Sequence, residues 1–476
     1  MENVAGDSRS ARTWTVALTS LAFFLVQISL LVVVTALPAI RHDLRASLST
    51  LGWVLNAYGL AFGAGVITAA AIGDRLGRVK VFTAGLAVFT VASAIGGLAQ
   101  DTTVLIASRT LQGVGAAMIM PLSLTILSAA FPPEKRGVVI GLWGGIAGIG
   151  VAVGPIIGGG VTQGLDWHWT FWLLLPVGVI LAILSPLFLR ESKGAASDLD
   201  MVGVVLITLG ALGLTWAVVR GNDARWSSGE VLGTGGAGAL LILGFAFWQS
   251  RARSPLLPPR LFRSLTFVGA NVTSFLLVGT LLGSAFLLIQ YFQFVLRLSP
   301  LDAGVHWLPS TATPIVIAPI AGALSDRVGR RPLMALGMLV AGIGLAWTGQ
   351  VATATVDYVQ LIVPMILVGA GISMALPTSP AAALGAASPA DLGKASGVNS
   401  TLQRFGGVFG VAIASAVFAS YGHIGTPDSF TAGFRPAMGW LAAIAIVGAT
   451  SALAVRARRA SPAVTAPAPP MPASTE

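Results

Sequence analysis

The sequence predicts an all-α integral membrane protein: fourteen transmembrane helices in two six-helix bundles with inverted repeats, plus two extra central helices. Three observations predict it. Of 476 residues, 55% are hydrophobic and 10% charged, with a mean hydropathy of +0.84, far from the composition of soluble domains. The apolar residues gather into runs long enough to cross a bilayer, which takes about 20 residues each. A charged turn between two such runs occurs twice, as Ile72-Gly73-Asp74-Arg75-Leu76-Gly77-Arg78-Val79-Lys80 and, about half a chain later, as Leu324-Ser325-Asp326-Arg327-Val328-Gly329-Arg330-Arg331-Pro332.

The spans follow in order. Arg9 and Arg12 precede the first, 14–36, which is too long for a signal-peptide core and lacks a cleavage site. Spans 50–72 and 79–99 flank the first charged turn; 103–127, 137–160 and 169–189 complete one bundle. Spans 200–220 and 231–249 are the extra pair. Span 266–292 opens the second half, 303–324 and 333–351 flank the second turn, and 358–379, 395–419 and 434–455 close the chain. Matching the two turns pairs spans 1–6 with 9–14. The expected organisation is a bundle over 1–190, a linker with two spans over 191–265, a second bundle over 266–456 and a disordered Pro/Ala-rich tail over 457–476.

Charge orients the chain. With both termini cytoplasmic, 20 of the 28 Lys and Arg fall on the inner side and 6 on the outer, leaving Arg109 and Arg404 inside spans; that is the positive-inside bias. It places both charged turns in the cytoplasm of a multi-pass plasma-membrane protein and all four histidines, His42, His168, His306 and His423, outside. The net charge of +10 is spread over short loops and makes no nucleic-acid face. With no cysteine, disulfides and thiolate metal sites are excluded; no metal or cofactor is expected. The sequence has no P-loop, His-Glu-x-x-His or Gly-x-Ser-x-Gly motif, so neither an ATP-driven pump nor an enzyme is indicated.

Several motifs stand out against this background. In the repeated turn, Gly77 and Gly329 permit a tight reversal. Asp74 and Asp326 are able to accept helix N-terminal amides and to pair with Arg75, Arg78, Arg327 and Arg330. A cluster of that kind would latch one conformation and break in another. Arg109 lies within span 4 with Gln112 one turn on. An arginine there is costly unless it meets a cavity or a partner, the competing reading being a side chain that snorkels to the helix end. Arg404 in span 13 stands beside Asn399 and Gln403. Gln27, Ser29 and Asn56 add polar groups to spans 1 and 2, and Gln290, Tyr291 and Gln293 make a polar patch at the end of span 9. Gly150, Gly154, Pro155, Gly158 and Gly159 make span 5 narrow and pliant.

Together these motifs resemble the major facilitator superfamily, in particular its fourteen-helix drug:proton antiporter branch. The resemblance covers the chain to about residue 456. It rests on the Asp74 and Asp326 turns, the stretch from Arg109 to Ala117, the Gly154-Pro155-x-x-Gly158-Gly159 motif and the extra spans 7 and 8. It implies alternating access and proton-coupled export of small lipophilic or amphiphilic compounds, with a small-molecule substrate, protons and the lipid bilayer as partners and a monomer as the unit. The departures are specific. The branch carries an acid in span 1 where this chain has Ser29, an Asn where it has Val34, a second Asn where it has Leu174, and a glycine where it has Ala70. All eighteen Asp and Glu fall in loops, tails or helix ends. Two embedded arginines without an embedded acid predict a neutral or anionic amphiphile as substrate. The missing acid also keeps open a uniporter or importer of the same fold, uncoupled from protons.

Overall fold

The computed structural model describes residues 2–193, 200–253, 255, 259–387 and 391–456, with the side chains of 2–9, 133–138, 222, 223, 326, 392 and 393 outside that description. The tail expected to be disordered, 457–476, also lies outside it. Among the described residues the chain forms seventeen α-helices and no strand. In order they are α1 (Glu2–Leu44), α2 (Leu48–Leu76), α3 (Arg78–Gly97), α4 (Thr102–Ala130), α5 (Pro133–Gly164), α6 (Trp169–Trp172), α7 (Leu174–Phe188), α8 (Met201–Ala224) and α9 (Gly229–Arg251). A 3-10 turn over Pro259–Arg263 leads to α10 (Leu265–Phe294), α11 (Pro300–His306), α12 (Leu308–Thr311), α13 (Thr313–Val328), α14 (Arg330–Val351), α15 (Val359–Gly385), α16 (Leu392–Tyr421) and α17 (Pro427–Ala452).

Fourteen stretches among them are long and apolar enough to cross a membrane. Two of the three additional helices arise where proline interrupts a span: Pro176 and Pro314 have no N–H for the carbonyls of Trp172 and Ser310, and the helix breaks at Leu173 and Ala312; the third, α11, precedes the span that begins at Leu308. Helix starts carry the side chains that satisfy free amides. Ser47 accepts from Thr50 N, Asp101 from Thr103 N and Val104 N, Ser264 from Phe267 N, and Thr426 from Ser429 N. Helix α1 runs well beyond the expected 14–36 at both ends, because counting apolar residues finds only the hydrocarbon-depth part of a helix.

The packing repeats between the halves. In the first, α1 packs on α5, α4 and α7, α3 on α4 and α7, and α2 on α4. In the second, α10 packs on α16, α15 and α17, α14 on α15 and α17, and α13 on α15. These are the same pairs under the match of spans 1–6 with 9–14. The two seams between the halves, α2 with α16 and α5 with α11, exchange under that match as well. The extra pair α8–α9 lies against the α2–α16 seam through α8. Its base is fastened by Asp200, which accepts from Gly203 N at 2.8 Å, Trp248 Nε1 at 2.7 Å and Gln249 Nε2 at 2.6 Å.

Candidate functional site: Arg109 inside the first bundle and Arg404 reaching it from the second

Arg109 is wholly buried and does not snorkel. Its Nε donates to Val54 O at 3.1 Å, and Nη1 donates to Gln112 Oε1 at 2.7 Å and Ser29 Oγ at 3.2 Å. Gln112 passes the network on, donating to Ser93 Oγ at 2.8 Å. The guanidinium carbon stands 4.3 Å from the centre of the Tyr58 ring. Nη2 is buried and meets no hydrogen-bonding group. Helices α1, α2, α3 and α4 therefore converge on one cation, and every contact is neutral.

Arg404 reaches the same region from the other bundle. Its guanidinium carbon lies 4.1 Å over Phe62, and Nη2 donates to Gln27 Oε1 at 3.3 Å. Phe62 and Tyr58 sit one helical turn apart on α2 with ring centres 5.8 Å apart, so an aromatic pair separates the two cations. Among the described residues no ion pair includes Arg109 or Arg404. Asn56 is buried in the same neighbourhood, with neither polar atom in a hydrogen bond.

The other polar candidates take different positions. Gln290 donates to Phe286 O of its own helix, and Tyr291 donates to Thr353 O at 2.6 Å inside the second bundle, stacked on Phe434. Asn399 donates to Asn271 Oδ1 and Ser274 Oγ, and Gln403 donates to Asn399 Oδ1, an amide ladder between α16 and α10. Gln293 crosses the seam and donates to Thr35 O at 2.9 Å. Close by, Leu301 N donates to Gln163 Oε1 at 3.2 Å.

Those ties belong to a seam closed at one end. A Cβ on Gly159 would stand 2.2 Å from Pro300 O, and one on Gly304 would stand 2.4 Å from Pro155 O. Gly150, Gly154 and Gly158 face α1 at Phe24, Leu31 and Thr35. The glycine motif thus serves two contacts, three glycines on α1 and one on α11. Toward the arginine-rich end, Cβ positions on Gly141, Gly144, Gly145 and Gly148 have no atom within 4 Å. The glycine face of α5 thus meets α11 at Gly159 and is uncovered at Gly141–Gly148, while on another face Trp143 and Ala147 pack on Phe23 and Leu127 of the same bundle.

The first charged turn has an arrangement that its own residues do not announce. Asp74 accepts from Arg78 Nε at 2.8 Å, as the spacing allows. The amides it was expected to take go to Glu191, which accepts from Val79 N at 3.0 Å and Lys80 N at 3.1 Å. Asp74 closes the preceding helix, whereas Glu191 approaches the start of α3 head-on from the far end of the bundle's last helix. Gly77 makes room with φ of 118°. Arg75 is exposed in the last turn of α2. In the second turn, Arg330 Nη1 donates to Ala381 O at 2.7 Å and Arg327 is exposed; the Asp326 side chain lies outside the described residues. Sequence reasoning missed Tyr58, Phe62, Glu191 and Gln163. A signal existed for Tyr58, the sole tyrosine before Tyr291.

A cavity of about 1040 Å³ lies elsewhere, between α2, α4 and α8, with walls that include Trp53, Leu60, Ala64, Val114, Met118 and Leu212. Neither arginine lines it, so volume alone does not mark the polar centre.

Comparison with known proteins agrees with this architecture. The family model described as Major Facilitator Superfamily matches residues 19–312 and 275–475. The chain is similar to the tetracenomycin C resistance and export protein of Streptomyces glaucescens, at 32% identity over 93% of this chain and 83% of that protein. It is similar to the cephamycin export protein CmcT of Amycolatopsis lactamdurans, at 32% identity over 98% of each. Among solved structures it resembles a peptide transporter POT in complex with sulfate, with a TM-score of 0.69, 15% identity, and coverage of 93% and 94%.

Proposed function

The chain belongs to the Major Facilitator Superfamily, and from that premise we propose that it exports small lipophilic or amphiphilic compounds, antibiotics among them, by alternating access. The export reading is supported by relatives at about one-third identity named as export or resistance proteins. The single structural observation that carries alternating access is the uneven glycine face of α5, covered by Pro300 of the second bundle at Gly159 and uncovered at Gly141–Gly148. Rocking the bundles about the polar centre exchanges those two conditions. In this reading the arginine-rich end and both termini face the cytoplasm across the plasma membrane, the unit is a monomer, and the structure has its outer side closed.

Export coupled to protons is the first reading. A specific observation favours a second, an uncoupled uniporter or importer: the group that meets Arg109 from α1 is the neutral Ser29, and no carboxylate lies between helix ends. Transport of a fluorescent amphiphile in proteoliposomes with an imposed pH gradient separates them. Proton-coupled export predicts accumulation against the compound's own gradient that collapses with a protonophore. Equilibration indifferent to the pH gradient overturns coupling and leaves the facilitated reading.

A further inference from the structure

The three polar residues near the end of α10 part company. Gln290 donates to Phe286 O and Tyr291 to Thr353 O, both within the second bundle. Gln293 turns the other way, and its Nε2 donates to Thr35 O of α1 at 2.9 Å. Thr35 is wholly buried where three helices meet. Its hydroxyl donates to Val32 O at 2.8 Å, and α5 comes so close that a Cβ on Gly158 would stand 2.3 Å from that hydroxyl oxygen. Pro38 lies within α1 three residues on. It has no N–H for Val34 O, and helices bend at such a proline. The second bundle thus takes hold of the first at a backbone acceptor in the turn before that proline.

A hydrogen bond that water replaces at once holds little, and one shielded from water holds more. The tie from Leu301 N to Gln163 is longer, 3.2 Å, and Gln163 is exposed. Gln293 is half-buried against a wholly buried residue, so parting it leaves a donor and an acceptor to be rehydrated. Resting on the alternating-access reading, we propose that Gln293 is the positioning residue that holds the outer end of the seam shut, through Nε2 on Thr35 O. The chemistry of the pair is one-way: a carbonyl only accepts, so Gln293 must present its amide nitrogen. Neither partner titrates, so the hold is indifferent to pH.

The test is labelling of a single cysteine from outside intact cells. Leu30 lines the seam with Val278 and Leu282 of the second bundle, more than one turn inward of Thr35, and the chain has no cysteine of its own. In Leu30→Cys a membrane-impermeant thiol reagent reacts only while the outer end is open, so the labelling rate reads the open population. Adding Gln293→Met, which keeps the length and loses the donor, is expected to raise that rate about fivefold, the effect of losing one net hydrogen bond. Gln293→Glu sets a carboxylate against Thr35 O and raises the rate at least as much at neutral pH. In acid its carboxyl gains an O–H donor, and the rate returns toward that of Leu30→Cys alone at the same pH, a reference that cancels the thiol's own pH dependence. Gln293→Met shows no such return. Each variant is read against the reference separately, so failure of one to fold leaves the other to decide. Parent-like rates overturn the latch. Acceleration by Gln293→Glu that is the same at every pH also overturns it and leaves Gln293 a packing residue of the seam. Labelling needs neither substrate nor gradient, so failure of the latch is separate from failure of the export reading, which the proteoliposome measurement judges.

Discussion

Arg404 of α16 lays its guanidinium carbon 4.1 Å over the ring of Phe62 in α2, so a cation from one bundle rests on an aromatic face of the other. Such a contact is worth about 0.5–1 kcal/mol when exposed and about 2 or more when desolvated. Phe62→Leu keeps apolar bulk and removes the ring's negative face; Arg404→Lys keeps the charge and loses the planar stack. Each is expected to change the initial export rate about fivefold, the equivalent of about 1 kcal/mol. Rates equal to the parent in both variants would show the contact to be incidental.

The α5 seam gives a prediction with a direction. A methyl group on Gly159 would stand 2.2 Å from Pro300 O, so Gly159→Ala must push α5 away from α11. If the bundles rock as rigid units, parting one end closes the other. The sequence has no cysteine, so a single cysteine at Gly148, in the uncovered stretch of the α5 glycine face, reports that closure. Its reaction with a membrane-impermeant thiol reagent is expected to slow several-fold when Gly159→Ala is added. An unchanged labelling rate argues against rigid rocking.

How much of this was legible follows from what each signal depends on. Spans, the repeat and the arginine-rich end depend on local composition and spacing, and the fourteen apolar stretches of the structure match them. Arg109 and Arg404 were visible because charge inside a membrane-length run is rare. Their partners were not: Tyr58 and Phe62 are ordinary residues in an apolar helix, and only packing of α2 against α4 and α16 gives them a role. Glu191 was hidden for a related reason. It caps a helix that begins more than a hundred positions earlier in the chain, and no local pattern encodes a contact at that separation.

Glu191 should matter to stability more than to rate. It takes two free amides at the start of α3, and loss of such a cap costs about 0.5–2 kcal/mol. Glu191→Ala is expected to lower the unfolding temperature measurably, and Glu191→Gln less. Gly77→Ala should be worse than either, since φ is 118° and its Cβ would stand 2.7 Å from the Glu191 carboxylate. Equal stability of Gly77→Ala and the parent would contradict this geometry.

Asp200 offers a way to loosen the extra helix pair alone. It holds an amide of α8 and two side chains of α9, and hydrogen bonds to a charged group contribute about 1.5–3 kcal/mol each. Asp200→Ala is expected to expose the base of the pair to limited trypsin cleavage at Arg251 while leaving the two main bundles resistant. Simultaneous loss of both bundles would mean that α8 and α9 are integral to the fold, not appended to the α2–α16 seam.

Ser29 tests what the positive centre selects. Its Oγ accepts from Arg109 Nη1 at 3.2 Å, and in Ser29→Asp a carboxylate would meet the same donor fork, a stronger and charge-assisted contact. The centre then loses one unit of uncompensated positive charge. A monovalent organic cation, expected to be a poor substrate of the parent, should be exported several-fold faster by Ser29→Asp, and an anionic amphiphile more slowly. The imposed pH gradient should also act more strongly on the variant, because a buried carboxyl beside Arg109 is a group whose protonation a substrate cation opposes. Efflux of both compound classes measured in parent and variant decides the matter. Robust cation export by the parent would show that Arg109 and Arg404 do not set the charge of the substrate.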